Sequence, residues 1–289
     1  MYTIENYKGN ARFSSLYGEI RAFLHTAADT GYNEHFHWGR FEWMMAHPML
    51  DVEMLSKNAV FRDAGGNIVG AALFDTSYDD RWYLLHSTAD EPLLRRMVEY
   101  AAQADTDLKA IKANLRDSSL CTLLESMGLK KRYSEKVLQM DLSGDLSYGM
   151  PEGFRVNFPE EETNIRQWRR VIHRGFGNEG EPDVESGDAA EGEKRLESPQ
   201  YIKVFAIHRG EYAAHCGVWY DGGNTAYIEP VATVPEHRRE GLGKAVVYEA
   251  ISRAKERGAK RAVVLSEQEF YFRIGMTVSS EIGTWAKDK

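Results

Sequence analysis

Residues 227–251, YIEPVATVPEHRREGLGKAVVYEAI, read as a strand, a loop with two glycines and an amphipathic helix in direct succession. The strand, AYIEPVATV (226–234), is broken by Pro230, and a proline inside a strand marks an edge or a bulge. A helix is predicted over 241–257. Val247, Ala250, Ile251 and Ala254 fall at i, i+3, i+4 and i+7 and share one face. Lys244, Ser252, Arg253, Lys255 and Glu256 take the polar remainder, and Gly258 is a good stop. The apolar run RAVVLS (261–266) follows as a second strand. Strand, helix, strand in that order predicts an α/β (α+β) sheet with a parallel pair.

The junction of loop and helix is chemically specific. The first-turn amides of a helix lack internal partners, and the helix dipole makes that end positive. Gly241 and Gly243 let the backbone approach a bulky group, while Arg238, Arg239 and Lys244 add positive charge. The ligand implied is a phosphate or pyrophosphate. A dinucleotide-binding loop needs a third glycine, and a P-loop needs Gly-Lys-Ser/Thr; neither is present. On these residues alone, a ligand-free glycine turn is the alternative.

A second motif narrows the choice. The pattern Arg238-x-x-Gly241-x-Gly243, preceded by VATVP, and the later FYFRIGM (270–276), with Tyr271 four residues before Gly275, resemble the GNAT acetyltransferase superfamily. Met276 stands where that family favours phenylalanine. The resemblance spans about residues 150–289. It implies a mixed, mostly antiparallel sheet flanked by helices, with a splayed parallel strand pair, and acetyl-CoA as cosubstrate. Arg239, Glu240, Gly241, Leu242, Gly243 and Lys244 would then hold the pyrophosphate, with Arg238 at the head of the motif. Val231, Ala232 and Thr233 would pair with the pantetheine arm as an added strand would. A backbone amide at the Pro230 bulge would stabilise the oxyanion. Tyr271 is the implied acid for the departing thiolate, and Glu229 the candidate base, acting directly or through water. Tyr227 lies two residues before Glu229 and shares its face of the strand. The family often places an asparagine after the strand 261–266; here the chain reads SEQEFYF, leaving Ser266 or Gln268 as substitutes.

Upstream, LSGDLSYGMPEG (142–153) reads as a linker, dividing the chain into 1–145 and 146–289. In the second part, GFRVNF (153–158) is a predicted strand, and 160–176 a predicted helix with acidic residues in its first turn and basic ones in its last. YIKVFAIH and AAHCGVWY form a hairpin about RGEY. The first part repeats this plan. NAVFRD and NIVGAALFDT make a hairpin, RWYLLHS a strand, EPLLRRMVEYAAQ a helix, and SSLCTLLESMGLKKRY a helix leading into a last strand. The chain is thus expected to be a tandem duplication.

The first copy lacks the machinery. Its LLHSTADEPLLRRM loop has no glycine, Asp90 and Glu91 would repel a pyrophosphate, and Leu124 takes the place of Tyr271. It is expected not to bind CoA. Its His35 and His37 lie among tryptophans in HFHWGRFEWMM, which reads as aromatic packing rather than a metal site. Residues 178–199 are acidic and glycine-containing, a predicted loop whose charge would favour a cationic acceptor if it faced one.

Composition bounds the partners. A net charge of −8 argues against a general nucleic-acid binder. No apolar stretch is long enough for a membrane span, and no signal peptide is evident. Two distant cysteines, Cys121 and Cys216, suit a reducing cytoplasm. The expected activity is transfer of acetyl to a primary amine of a small molecule or peptide, without a metal, by a monomer or homodimer. The rival readings are an acyl-CoA sensor without turnover, or a transferase with another acyl donor or a hydroxyl acceptor.

Overall fold

The computed structural model describes all residues except 1, 9–11, 29, 48–49, 76–80, 104–109, 183–196 and 289. Most of the acidic 178–199 segment therefore lies outside the described residues. The chain divides into two compact units. The first holds residues 1–138, 265–267 and 278–289; the second holds 139–264 and 268–277.

In the first unit, β1 (Thr3–Asn6), β2 (Ala59–Arg62), β3 (Ile68–Leu73) and β4 (Arg81–His86) are antiparallel neighbours in that order. β5 (Ala110–Asn114) then joins β4 in parallel, as crossing over through a helix, α3 (Glu91–Gln103), allows. Helices α1 (Ser15–Ala28), α2 (Trp38–Ala46) and α4 (Ser118–Ser126) complete the unit. α3 buries Leu93, Leu94, Met97, Val98 and Ala101 into a core with Phe61, Trp82 and Leu84 of the sheet.

The last strand of the chain belongs here too. β12 (Thr277–Ala286) pairs antiparallel with β5, Ile282 opposite Asn114 and Trp285 opposite Ile111, and Trp285 enters the first unit's core. A single break at 145/146 does not describe these units. The long strand β6 (Lys130–Asp141) begins in the first unit and ends in the second, and the C-terminal strand returns to the first. The physical reason is that the edge of β5 needs a partner, and β12, far along the chain, supplies it.

The second unit follows the same plan. β7 (Phe154–Val156), β8 (Tyr201–His208), β9 (Glu211–Trp219) and β10 (Thr225–Thr233) are antiparallel neighbours. β11 (Arg261–Leu265) joins β10 in parallel after α6 (Leu242–Glu256). The β8–β9 turn is made by Arg209 and Gly210, with φ of 50° and 87°, the positive values that a two-residue hairpin needs. On α6 the predicted face is buried as expected. Arg253, expected on the polar face, is buried as well: its Nε donates to Glu249 at 2.8 Å and Nη2 reaches the Asn157 carbonyl.

Helix α5 (Ile165–Gly175) starts later than predicted. Asn164 caps it by accepting from Gln167 N–H at 3.1 Å. The acidic residues read as its first turn precede it, and Glu161 instead pairs with Arg155 at 2.7 Å. The Arg155 hydrogen bond, with the Phe158 amide beside it, holds the Glu161 carboxyl down to about 2. A short helix, α7 (Glu269–Arg273), carries Tyr271.

Both parallel pairs part early. β4 and β5 pair at three positions ending with Tyr83 opposite Lys112; β10 and β11 pair at three ending with Tyr227 opposite Val263. Beyond those residues, β4 no longer pairs with β5, nor β10 with β11. A mixed, mostly antiparallel sheet with a splayed parallel pair is thus present in each unit, as the resemblance implied.

Candidate active site

Strand β10 is distorted where Pro230 predicted it, on the side that pairs with β9. The pairing with β9 shifts register between Ile228 and Val231, so Glu229 and Pro230 bulge from the ladder. Gly217 of β9 permits this. A Cβ on it would lie 2.2 Å from the Tyr201 hydroxyl and 2.6 Å from the Glu229 carbonyl oxygen, closer than any side chain tolerates. Past the bulge, Val231, Ala232 and Thr233 resume pairing with Cys216, His215 and Ala214.

Two of the predicted site residues gather at the bulge. The Tyr227 hydroxyl donates to Glu229 Oε2 at 2.8 Å, so the face shared in sequence becomes a direct bond. Tyr271 is 6% exposed. Its phenol is pushed above the usual tyrosine range, chiefly by burial, then by the neighbouring Cys216 thiol and Glu229 carboxylate. It therefore keeps its proton at neutral pH, which suits a donor and not a base.

The loop after β10 turns through positive φ at Arg239 (67°) and Gly241 (89°). Gly241 occupies the N-cap of α6 with no side chain to cap the helix. The first backbone bond of the helix runs from Ala245 N–H to Gly241 O at 3.1 Å. The amides of Leu242, Gly243 and Lys244 precede it, the arrangement that suits an anion. Gly243 is tightly covered: a Cβ there would meet the Phe270 ring at 3.1 Å and Thr233 Oγ1 at 3.7 Å. Phe270 thus links α7 to the first turn of α6.

The basic side chains do not all face the cradle. Arg238 ties the loop to its surroundings: Nε donates to Thr233 O at 3.2 Å and Nη2 to Gly175 O at 2.9 Å. It fixes the loop against the end of α5, where a Cβ on Gly175 would meet Ala232 Cβ at 2.7 Å. Lys244 lies 4.7 Å over the Tyr248 ring. Glu240 accepts from or ion-pairs with His237 at 3.2 Å.

Several residues at this site carry no motif. Gly217, Tyr201, His215 and Gly175 act through contacts distant in sequence. A glycine and a histidine inside the apolar strand AAHCGVW were the available signal, since glycine in a strand marks a close backbone approach. In the first unit, His35 is buried and its ring is pushed down to about 4, mainly by burial. His37 Nδ1 accepts from Gly39 N–H at 3.0 Å and caps α2. Both serve packing and capping, and among the described residues no group of three His, Cys, Asp or Glu could hold a metal.

Residues 163–276 match the model of the acetyltransferase (GNAT) family. No curated protein matches the chain. Among solved structures, a tandem GNAT protein from the clavulanic acid biosynthesis pathway aligns over 99% of this chain and 98% of its own, at 14% identity and a TM-score of 0.61. A GCN5-related N-acetyltransferase from Sphaerobacter thermophilus covers 99% and 95%, at 14% identity and a TM-score of 0.55. One from Kribbella flavida covers 77% and 88%, at 17% identity and a TM-score of 0.53. At such identities the likeness is one of fold, and it runs through both units. The family match lies on residues 163–276, mostly in the second unit, and the likeness of fold to the tandem GNAT protein extends over the first unit as well.

Proposed function

We propose that the second unit transfers an acetyl group from acetyl-CoA to a primary amine of a small molecule or peptide. The observation that carries this is the bulged, open-edged β10 leading through Gly241 into the uncapped N-terminus of α6. Such a strand edge can pair with the amides of a pantetheine arm at Val231, Ala232 and Thr233. The amides of residues 239–244 then receive the pyrophosphate.

Each remaining group has a step. Glu229, oriented by Tyr227, removes a proton from the attacking ammonium, directly or through a water. The amine nitrogen bonds to the thioester carbonyl carbon, and its oxygen takes the negative charge. A backbone amide at the bulge stabilises that oxyanion. The C–S bond then breaks as Tyr271 donates its proton to the departing thiolate, and the second proton of the product nitrogen passes to the Tyr271 phenolate, directly or through water. No metal is called for.

A cytoplasmic compartment is part of the same proposal. Cys121 and Cys216 are both free thiols, which fits a reducing cytoplasm, and among the described residues no helix is long and apolar enough to cross a membrane. A monomer or homodimer is consistent with one complete site per chain.

The test is thiol release from acetyl-CoA against a panel of amines, run beside calorimetric binding of CoA. Turnover with at least one amine is expected. Tight cofactor binding with no turnover on any amine or hydroxyl compound would replace the transferase with an acyl-CoA sensor.

A further inference from the structure

Behind the bulge, on the face of the sheet that carries α5, lies a buried hydrogen-bonded group that the proposed reaction does not use. His215 is fully buried on β9. Its Nδ1 lies 3.1 Å from the Val204 carbonyl, which can only accept, so Nδ1 carries the proton. Nε2 is then an acceptor with one in-plane lone pair. Trp168 Nε1–H of α5 points at it from 3.0 Å, and the Tyr201 hydroxyl stands 3.2 Å away. Burial pushes the imidazole down to about 3, so the ring is neutral at neutral pH.

Two donors therefore share one lone pair. The indole N–H is fixed in the ring plane, whereas a hydroxyl can rotate. Tyr201 is itself 3% exposed, and its ring stacks on Trp219 at 4.3 Å, so the hydroxyl is held in place by its own side chain. That hydroxyl and the main-chain carbonyl of Glu229 both press on Gly217, the residue opposite the bulge. The register shift has removed the Glu229 peptide from the regular ladder. The shape of the bulge is thus defined on one side by Tyr201.

We infer that Tyr201, seated by His215 and Trp168, is a positioning residue that holds the bulged segment Glu229–Val231 in its working geometry. This deepens the proposed acetyl transfer and rests on it for its kinetic consequence. Tyr201 acts through Glu229, whose carboxylate is the base, and through the bulge amide that receives the oxyanion. The same histidine nitrogen links α5 to the bulge, so a movement of α5 would be felt at the reacting atoms.

The test is Tyr201→Phe, which keeps the ring and its stacking and removes only the hydroxyl. The control is Tyr212→Phe. Its hydroxyl accepts from Asn164 N–H at 3.1 Å on the same sheet, and its ring stacks on Phe205. Amide exchange of the intact protein, followed in peptides covering 226–234, is expected to accelerate about tenfold in Tyr201→Phe and to stay unchanged in the control. With acetyl-CoA and an active amine, kcat is expected to fall about tenfold at unchanged KM for acetyl-CoA, again only in Tyr201→Phe. His215→Gln, whose amide can donate to Val204 and accept from Tyr201, is expected to retain more of the wild-type exchange protection than His215→Ala. Equal exchange at 226–234 in wild type and Tyr201→Phe overturns the inference whether or not the protein turns over. Absence of turnover in the wild type, with the exchange difference present, overturns the proposed reaction and leaves the positioning role standing.

Discussion

Past Tyr83, β4 of the first unit parts from β5; past Tyr227, β10 of the second parts from β11 at the same point in the pattern. What lies along the exposed edge differs. In the first unit, the chain satisfies that edge itself. Asn33 Nδ2 donates to His86 O at 2.7 Å, Asn33 Oδ1 accepts from His86 N–H at 3.2 Å, and His35 Nε2–H donates to Leu84 O at 3.1 Å. The carboxylate of Glu34, between them, accepts from Ser279 and Ser280 at 3.0 and 2.7 Å. Side chains here make the bonds that a bound amide would otherwise make.

The helix that follows differs in the same sense. At α3, Asp90 accepts from Leu93 N–H at 3.3 Å and from the Tyr2 hydroxyl at 2.7 Å, so a carboxylate already fills the positive end. At α6, Gly241 brings no side chain. Opposite the parted strand, the first unit has Ala71 facing Leu85 in an unbroken ladder, and the second has Gly217 and a bulge. An unsatisfied strand edge and an unsatisfied helix end cost free energy unless something pairs with them. In the first unit Asn33, His35 and Asp90 meet that cost internally; in the second, Gly241 brings no side chain to the helix end.

The comparison can be broken in order of expected effect. Gly241→Glu gives α6 the carboxylate that α3 already has, in a backbone conformation that disfavours any side chain. CoA binding measured by calorimetry should vanish, a loss of about 100-fold or more. Unchanged affinity would show that the two helix ends do not differ as described. Tyr271→Phe installs an aromatic without a proton to give, closer to the first unit's Leu124. Turnover should fall about 10- to 100-fold while CoA affinity holds. Equal turnover would return Tyr271 to the packing.

Gly217→Ala imposes on β9 the alanine found opposite β4. The clash with Tyr201 and the Glu229 carbonyl should destabilise the protein by about 1–3 kcal/mol, seen in chemical denaturation. Asn33→Ala removes the internal occupant of the first unit's edge and leaves the His86 peptide unpaired. A stability loss of about 1–3 kcal/mol is expected, with CoA still binding once per chain because Asp90 remains. A second bound CoA would mean that Asn33 alone closes that cleft. The smallest effect concerns pH. The Tyr271 phenol is raised by burial, so its protonated, donating form extends to higher pH, and turnover should show no alkaline loss from this group below about pH 10.

Much of the second unit was legible from local chemistry. Pro230 marked the bulge, the i, i+3, i+4, i+7 face marked the inner side of α6, and two glycines marked the helix end that has no side-chain cap. These features depend on backbone preferences of neighbouring residues and survive without knowledge of the rest of the chain. Helix α5 was misplaced at its start because Glu160–Glu162 satisfy the dipole rule, while the side chain of Asn164 makes the cap bond that sets the boundary. Arg253 was misread because its charge outweighed its place beside Glu249 and the Asn157 carbonyl, a place that becomes visible only when β7 and α6 pack.

The sequence by itself determined the order of elements, their repetition, and the asymmetry between a glycine-rich loop and one with Asp90. Each is written in a few consecutive residues, where dihedral preference and charge decide. Only the tertiary structure decided that β12 belongs with β5, that Arg238 braces Gly175 and Thr233, and that Gly217, Tyr201 and His215 stand behind Glu229. Those pairings join residues brought together by strand register and packing, and no local rule encodes which distant partner an open edge or a buried nitrogen will find.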